Sequence, residues 1–180
     1  MEKTTNFDAL YEKLASDRKA TDPQWLAEAR ESAWAQFQAQ GFPTQRHEDW
    51  RFTSLKEISD RTFGFAAAGD VTSNDIKQFD YNELQANTLV FINGHFRKDL
   101  SVVRDLPKGV IACTFQEALE NHGDIAEKYF NRDTKPEEQP FTALNNAFCE
   151  DGFFLHVDAN VVYEQPIHLL LISTPEAEDS

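Results

Sequence analysis

The fold is decided in the stretch Phe141-Thr-Ala-Leu-Asn-Asn-Ala-Phe-Cys-Glu-Asp-Gly-Phe-Phe-Leu-His-Val-Asp158. Its first half carries apolar residues at helical spacing, namely Phe141, Leu144, Ala147 and Phe148. Gly152 can take the positive φ that ends a helix. Beyond it, apolar residues recur with period two, at Phe153, Leu155 and Val157. The stretch therefore predicts a short helix that gives way to a strand at Gly152.

Only strand-like sequence follows. We predict strands at Phe153 to Val157, at residues 161–163 and at Ile167 to Ile172, joined by turns at residues 158–160 and 164–166. The last strand, Ile-His-Leu-Leu-Leu-Ile, is apolar on both faces, which is typical of a strand covered on both sides. Periodicity alone leaves a sandwich, a barrel and a stacked solenoid open.

Two helices are predicted at the N-terminus. The first carries an apolar stripe from Phe7 to Leu14 and ends near Ala20. The second begins at Asp22-Pro23, with the aspartate as N-cap and the proline in the first helical position. Gly41 ends it.

Residues 42–55 are too polar for a regular element, yet they contain Trp50, Arg51 and Phe52. One interpretation is a docking loop in which Trp50 anchors a partner and the charges steer it. The other is a surface loop whose two aromatic rings pack under the helices. We name Trp50, Arg51 and Phe52 as the candidate partner contact and leave both interpretations open.

Residues 56–140 predict a mixed α/β connector. Its clearest signal is a hairpin, because Leu89 to Ile92 is followed by Asn93-Gly94, a pair suited to a type I′ turn. A further short strand is predicted from Val110 to Cys113. The chain then divides into a helical pair with the tryptophan loop (1–55), the connector (56–140) and the start of the strand-rich core (141–180).

Composition excludes several classes of function. The 180 residues carry a formal net charge of -14, which repels phosphate backbones and argues against nucleic acid binding. No run of about 18 apolar residues and no apolar signal core occurs, so a cytoplasmic protein without membrane contact is predicted. Two cysteines, Cys113 and Cys149, are too few for a disulfide framework and are interpreted as inert core thiols.

No nucleotide-binding, zinc-binding or hydrolase signature is present in the sequence. The best remaining cluster is His156, Glu164 and His168 on consecutive predicted strands, which would suit a two-histidine, one-carboxylate metal site like that of a cupin. The adjacent His47-Glu48-Asp49 lies in an irregular loop and defines no geometry. We therefore expect no enzyme, and no catalytic, cofactor-binding or metal-binding residue.

Three motifs carry a resemblance to a known family. They occur here in that family's order: the segment of residues 41–55 with Glu48, Trp50, Arg51 and Phe52, the hairpin of residues 89–96, and the pattern F-x-A-L-N-x-A-F-x-x-D-G over residues 141–152. Together they cover roughly residues 41–172. The chain resembles the N-terminal portion of the SufB/SufD family of iron–sulfur cluster assembly scaffolds, and its tryptophan segment resembles the SufD branch.

The resemblance implies an α+β chain in which an N-terminal helical region and a small hairpin lead into the first turns of a right-handed parallel β-helix. A solenoid needs at least about three repeats, so the chain is expected to be a truncated, N-terminal part that caps the first coil. The family's subunits are non-catalytic. They act with a SufB-like scaffold and a SufC-like ATPase, through regions expected mostly beyond residue 180, and the assembled complex handles the iron–sulfur cluster.

Two other classes of function stay open. A cupin-like metal-binding enzyme would use His156, Glu164 and His168. A free-standing acidic adaptor would use the net charge to bind a basic partner.

Overall fold

The computed structural model describes residues 7–79 and 86–174. The chain forms two compact units, each assembled from two separate stretches of sequence. Unit 1 comprises residues 1–65 and 127–149, and unit 2 comprises residues 66–126 and 150–180. The division of the sequence at residues 55 and 140 stays a prediction.

Unit 1 is helical. Its helices are α1 (Phe7–Arg18), α2 (Gln24–Gln40), α3 (Lys56–Ser59), the C-terminal end of α6 (Gly123–Tyr129) and α7 (Pro140–Ala147). Helix α2 packs against α7, where Ala33, Ala143 and Ala147 are almost fully buried. These short side chains allow the helices to approach closely, and aromatic rings fill the space around them, including Phe7, Tyr11, Trp34, Phe37, Phe42 and Phe148.

The predicted start of α2 is wrong in one detail. Pro23, not Asp22, occupies the N-cap position, and none of the described side chains caps the helix there. The Asp22 carboxylate instead accepts a hydrogen bond from Arg30 Nε at 2.8 Å. A buried guanidinium without a counter-charge costs more free energy than an exposed helix end without a cap. Water can hydrogen-bond to the exposed N–H groups of the helix end, but it does not reach the buried charge. The predicted end is confirmed, since Gly41 has a φ of 65° and donates its N–H to Phe37 O.

The predicted helix and strand of the deciding stretch are confirmed as α7 and β4 (Phe153–Val157). The role given to Gly152 is wrong, because its φ is not positive and α7 ends several residues earlier. The Asp151 carboxylate accepts hydrogen bonds from the backbone N–H groups of Gly152 and Gln116. The Asp151 carboxylate, which binds one neighbouring and one distant backbone donor, thus shapes this turn without a left-handed residue.

Unit 2 contains two small sheets. One has the order β2-β1-β5, in which β1 (Asn87–Ile92) pairs antiparallel with β2 (His95–Phe96) and parallel with β5 (Ile167–Ile172). The other pairs β3 (Val110–Thr114) antiparallel with β4. The remaining helices are α4 (Ser73–Ile76), α5 (Phe115–Asn121) and the N-terminal part of α6.

The predicted hairpin is confirmed, since Asn93 and Gly94 have φ values of 50° and 86°, as a type I′ turn requires. The strand predicted at residues 161–163 is absent from the structure, which has no regular element there. Instead, Tyr163 Oη accepts a hydrogen bond from the fully buried Asn87 at 2.7 Å. A buried amide such as that of Asn87 requires hydrogen-bond partners, and the hydrogen bond to Tyr163 Oη holds the Tyr163 side chain in place.

Strand β5 has one covered and one open face. Leu170 and Ile172 pack on a small core with Val71, Val90 and Ile92. The alternate residues Leu169 and Leu171 are 41% and 74% exposed. Within the described residues, the expectation that β5 is covered on both sides therefore holds for one side only.

In the parts of the chain that the structure describes, no helix combines the length and apolar composition needed to cross a membrane.

Candidate partner-contact site

The segment that contains the candidate contact is more ordered than its sequence predicts. A single turn of 3-10 helix runs over Glu48–Trp50. His47 holds the entry to this turn, because its Nδ1 accepts the backbone N–H of Thr44 at 3.0 Å. Thr53 donates its N–H to Trp50 O, which continues the turn. The expectation of no regular element is therefore wrong, and backbone hydrogen bonds supply the order that apolar periodicity does not.

Trp50 faces the interior of unit 1. Its ring lies 5.2 Å from that of Phe141, at an interplanar angle of 42°. Phe141 in turn contacts Phe42, which packs edge-on against the buried Phe37. Trp50 thus joins the loop to the aromatic core, as the interpretation of a packed surface loop predicts for this ring.

Phe52 points the other way. Its side chain is 91% exposed, and the Arg51 guanidinium lies over its ring at 5.3 Å from the centroid. An exposed cation–π pair of this kind contributes about 0.5–1 kcal/mol. Isolated apolar side chains are common on surfaces, and a ring this exposed buries little area, so hydrophobic burial of Phe52 adds little to the stability of the fold.

The three candidate residues therefore have two different roles: one anchors the turn to the core, and the other two are exposed to a possible partner. Trp50 fixes the turn on α7 through Phe141, while Arg51 and Phe52 face solvent. Arginine and aromatic side chains are enriched at the energetically important positions of protein interfaces. The arrangement can offer a partner one apolar ring and one positive charge from a turn held on a rigid core.

The metal-site alternative gains no geometric support. His156 lies on β4 and His168 on β5, in different sheets. The Nε2 atom of His156 is 3.1 Å from Asp158 Oδ1, a local pair within one strand end. Over residues 7–79 and 86–174, no three His, Cys, Asp or Glu side chains are grouped so that they could hold a metal ion.

Cys113 lies on β3 beside a cavity of about 300 Å³ in unit 2. Burial, and then the negative charges of Glu117 and Asp151, raise the pKa of its thiol to about 11. Because the thiolate is the nucleophilic form, this environment slows nucleophilic reactions of Cys113 at neutral pH. The raised pKa favours the interpretation of Cys113 as an inert thiol, which stays a prediction.

Comparison with known proteins agrees with the motifs. The family model described as the SufBD protein N-terminal region matches residues 1–169. An iron–sulfur cluster assembly SufBD family protein of Synechocystis is 31% identical over 156 residues, which cover 85% of this chain and 34% of the relative. The iron–sulfur cluster assembly protein SufD of Bacillus subtilis is 30% identical over 161 residues, or 86% of this chain and 36% of the relative.

A chloroplastic SufBD family protein of Arabidopsis thaliana is 26% identical over 163 residues, covering 81% of this chain and 29% of the relative. The chain thus spans about a third of the length of the curated relatives that it matches. The family match covers both structural units. The chain therefore belongs to the SufB/SufD family, and it contains that family's N-terminal region.

Proposed function

We propose that this chain is the N-terminal part of a SufD-like subunit that takes part in iron–sulfur cluster assembly. The match of the family's N-terminal region to residues 1–169 carries the proposal. The names of the Synechocystis and Bacillus relatives, both of which refer to iron–sulfur cluster assembly, support it. The SufD branch is favoured by the Bacillus relative and by the segment around Trp50.

The subunit acts as a non-catalytic scaffold in this proposal. The high pKa of the Cys113 thiol supports that role, because it disfavours nucleophilic sulfur transfer at this cysteine. The cluster is cargo that the assembled complex handles, and this portion contributes no resident cofactor. The complex is expected in the cytoplasm.

We further propose that unit 2 begins a right-handed parallel β-helix. The parallel pairing of β1 with β5 supports this, because parallel neighbours are the building unit of such a solenoid. The open edge and face of β5, with Leu169 and Leu171 exposed, would receive the next coil.

The partners in this proposal are a SufB-like scaffold and a SufC-like ATPase, bound mainly through the rest of the longer protein. The turn at Trp50 adds a smaller contact, which Arg51 and Phe52 present. One exposed ring and one charge can add to the binding affinity, but they are too few to form an interface of standard size.

The test is co-purification. The full reading frame that encodes this chain is expressed with the SufB-like and SufC-like proteins of the same organism, and only this subunit carries an affinity tag. Retention of both partners after washing in high salt is the expected result. Recovery of the tagged subunit alone, folded by circular dichroism, would remove the proposal.

A further inference from the structure

The Asn93-Gly94 turn also has a chemical reactivity. In an Asn-Gly sequence the glycine backbone nitrogen can attack the asparagine side-chain carbonyl carbon, because glycine has no Cβ to hinder the approach. A five-membered succinimide forms and ammonia leaves from Nδ2. Water then opens the ring to aspartate or to isoaspartate, so the balance is one water consumed and one ammonia released.

The structure holds the Asn93 side chain by three hydrogen bonds. Its Nδ2 donates to Ala67 O at 2.9 Å and to Thr174 Oγ1 at 2.8 Å. Its Oδ1 accepts the backbone N–H of Thr174 at 2.8 Å. All of these groups lie in unit 2. The amide can turn toward Gly94 N only if the contacts with Thr174 and Ala67 are released.

The backbone around Asn93 adds a second restraint. The N–H of Asn93 donates to Ile172 O at 2.8 Å, which ties the turn to the end of β5. A Cβ placed on Gly69 would lie 2.6 Å from Thr174 Oγ1 and 3.4 Å from Asn93 Nδ2, so the backbone at Gly69 closes over this amide. The left-handed φ of 50° at Asn93 belongs to the type I′ turn, which holds the backbone in one conformation.

We propose that Asn93 is a deamidation site gated by the attachment of Thr174. While the end of β5 is in place, the amide is held and the reaction is slow. When residues 172–174 detach from the β1–β2 turn, the amide and the backbone are both released, and the succinimide can form.

Deamidation would prevent full closure of the gate. The carboxylate that replaces the Asn93 amide has no N–H to donate to Ala67 O or to Thr174 Oγ1, and it adds a negative charge to a chain whose net charge is already -14. An isoaspartate also adds a backbone atom to the turn. Aspartate or isoaspartate at position 93 therefore shows that the end of β5 has detached. This inference does not depend on which partners the protein binds.

The experiment incubates the full chain in mildly alkaline buffer and follows isoaspartate and aspartate at position 93 by peptide mass spectrometry. Thr174→Val removes one acceptor, and Thr142→Val is the matched control in unit 1. If one hydrogen bond contributes its usual net stability, Thr174→Val should deamidate about fivefold faster, and Thr142→Val should match the wild type. Thr174→Ser keeps the hydroxyl and should remain slow.

Equal rates in Thr174→Val and Thr142→Val would overturn the proposal, as would a folded wild type that reacts as fast as the chain in denaturant. If Thr174→Val does not fold, the proposal is tested with the wild-type chain alone. In graded, sub-denaturing urea, the deamidation rate should rise in parallel with hydrogen exchange of the Thr174 amide. A deamidation rate that does not follow the hydrogen exchange of the Thr174 amide would contradict the proposal that attachment of Thr174 controls the reaction.

Discussion

Arg30 donates its Nε–H to the carboxylate of Asp22 at 2.8 Å, and both side chains are only 4% exposed. Among residues 7–79 and 86–174, neither Nη1 nor Nη2 of Arg30 has a hydrogen-bond partner, although both atoms are buried. Asp22 thus provides the identified counter-charge for a guanidinium that water does not reach. The pair fixes the turn between α1 and α2.

Removal of one partner should therefore be costly. We expect Asp22→Ala to lower the free energy of unfolding by about 3–5 kcal/mol, because it leaves a buried charge without compensation. All three tryptophans, Trp25, Trp34 and Trp50, lie in unit 1, so fluorescence-detected urea unfolding reports this change. Asp22→Ala with Arg30→Met should recover much of the loss. A stability equal to that of the wild type for Asp22→Ala would contradict the assignment.

Leu144 tests the packing of α7. It contacts the core formed by Trp34, Phe37 and the buried alanines. We expect Leu144→Asp to cost about 2–5 kcal/mol, because it deletes apolar contacts and places a carboxylate against aromatic rings. Asn145→Asp is the matched control, since Asn145 is exposed on the same helix. If both variants melt at the same temperature, Leu144 does not hold α7 in the core.

Cys113 should make stability depend on alkaline pH. Its pKa is raised from 9.0 to about 11, so the folded state binds the thiol proton more tightly than the unfolded state does. This contribution is complete below pH 9.0 and is lost as the pH rises toward about 11. Urea midpoints across this range, compared with those of Cys113→Ala, should show the decline only in the chain that has the thiol.

Alkylation gives an independent check on the same group. In a Cys149→Ala background, iodoacetamide should modify Cys113 slowly at neutral pH, and the rate should keep rising above pH 9.0. A rate that reaches its plateau near neutrality would show that the thiol is activated, which is incompatible with its burial beside Glu117 and Asp151.

A substitution at Phe52 should change partner binding without changing the stability of the fold. Phe52→Ala should leave the free energy of unfolding within about 0.5 kcal/mol of the wild type, because the ring is 91% exposed. In the complex it should weaken partner binding by at least about 1 kcal/mol if the ring is an interface hot spot. Phe79→Ala is the matched control, since Phe79 is 42% exposed and lies in unit 2. Equal binding by the two variants would remove Phe52 from the contact.

Local signals predicted the elements well. The hairpin at Asn93-Gly94 and the strands β4 and β5 follow from turn chemistry and from apolar residues within a few positions of one another. The parallel pairing of β1 with β5 joins distant parts of the chain, and no local pattern encodes it. The absent strand at residues 161–163 was mispredicted because Tyr163 is committed to the distant Asn87.

The candidate site was only half predictable. Sequence located the segment, since two aromatic rings among charges are unusual in a surface loop. It could not determine which ring packs against the core, because that depends on whether Phe141 on α7 is within reach. The family motifs likewise identified the chain, but they did not distinguish the role of Trp50 from those of Arg51 and Phe52.

The proposal of a role in iron–sulfur cluster assembly is tested most directly by depletion. The reading frame that encodes this chain is placed under a repressible promoter, and the activity of an enzyme that depends on an iron–sulfur cluster is measured beside one that does not. We expect depletion to lower the first activity while its apoprotein persists, and to spare the second. Unchanged cluster-dependent activity after the subunit has disappeared would contradict the central claim.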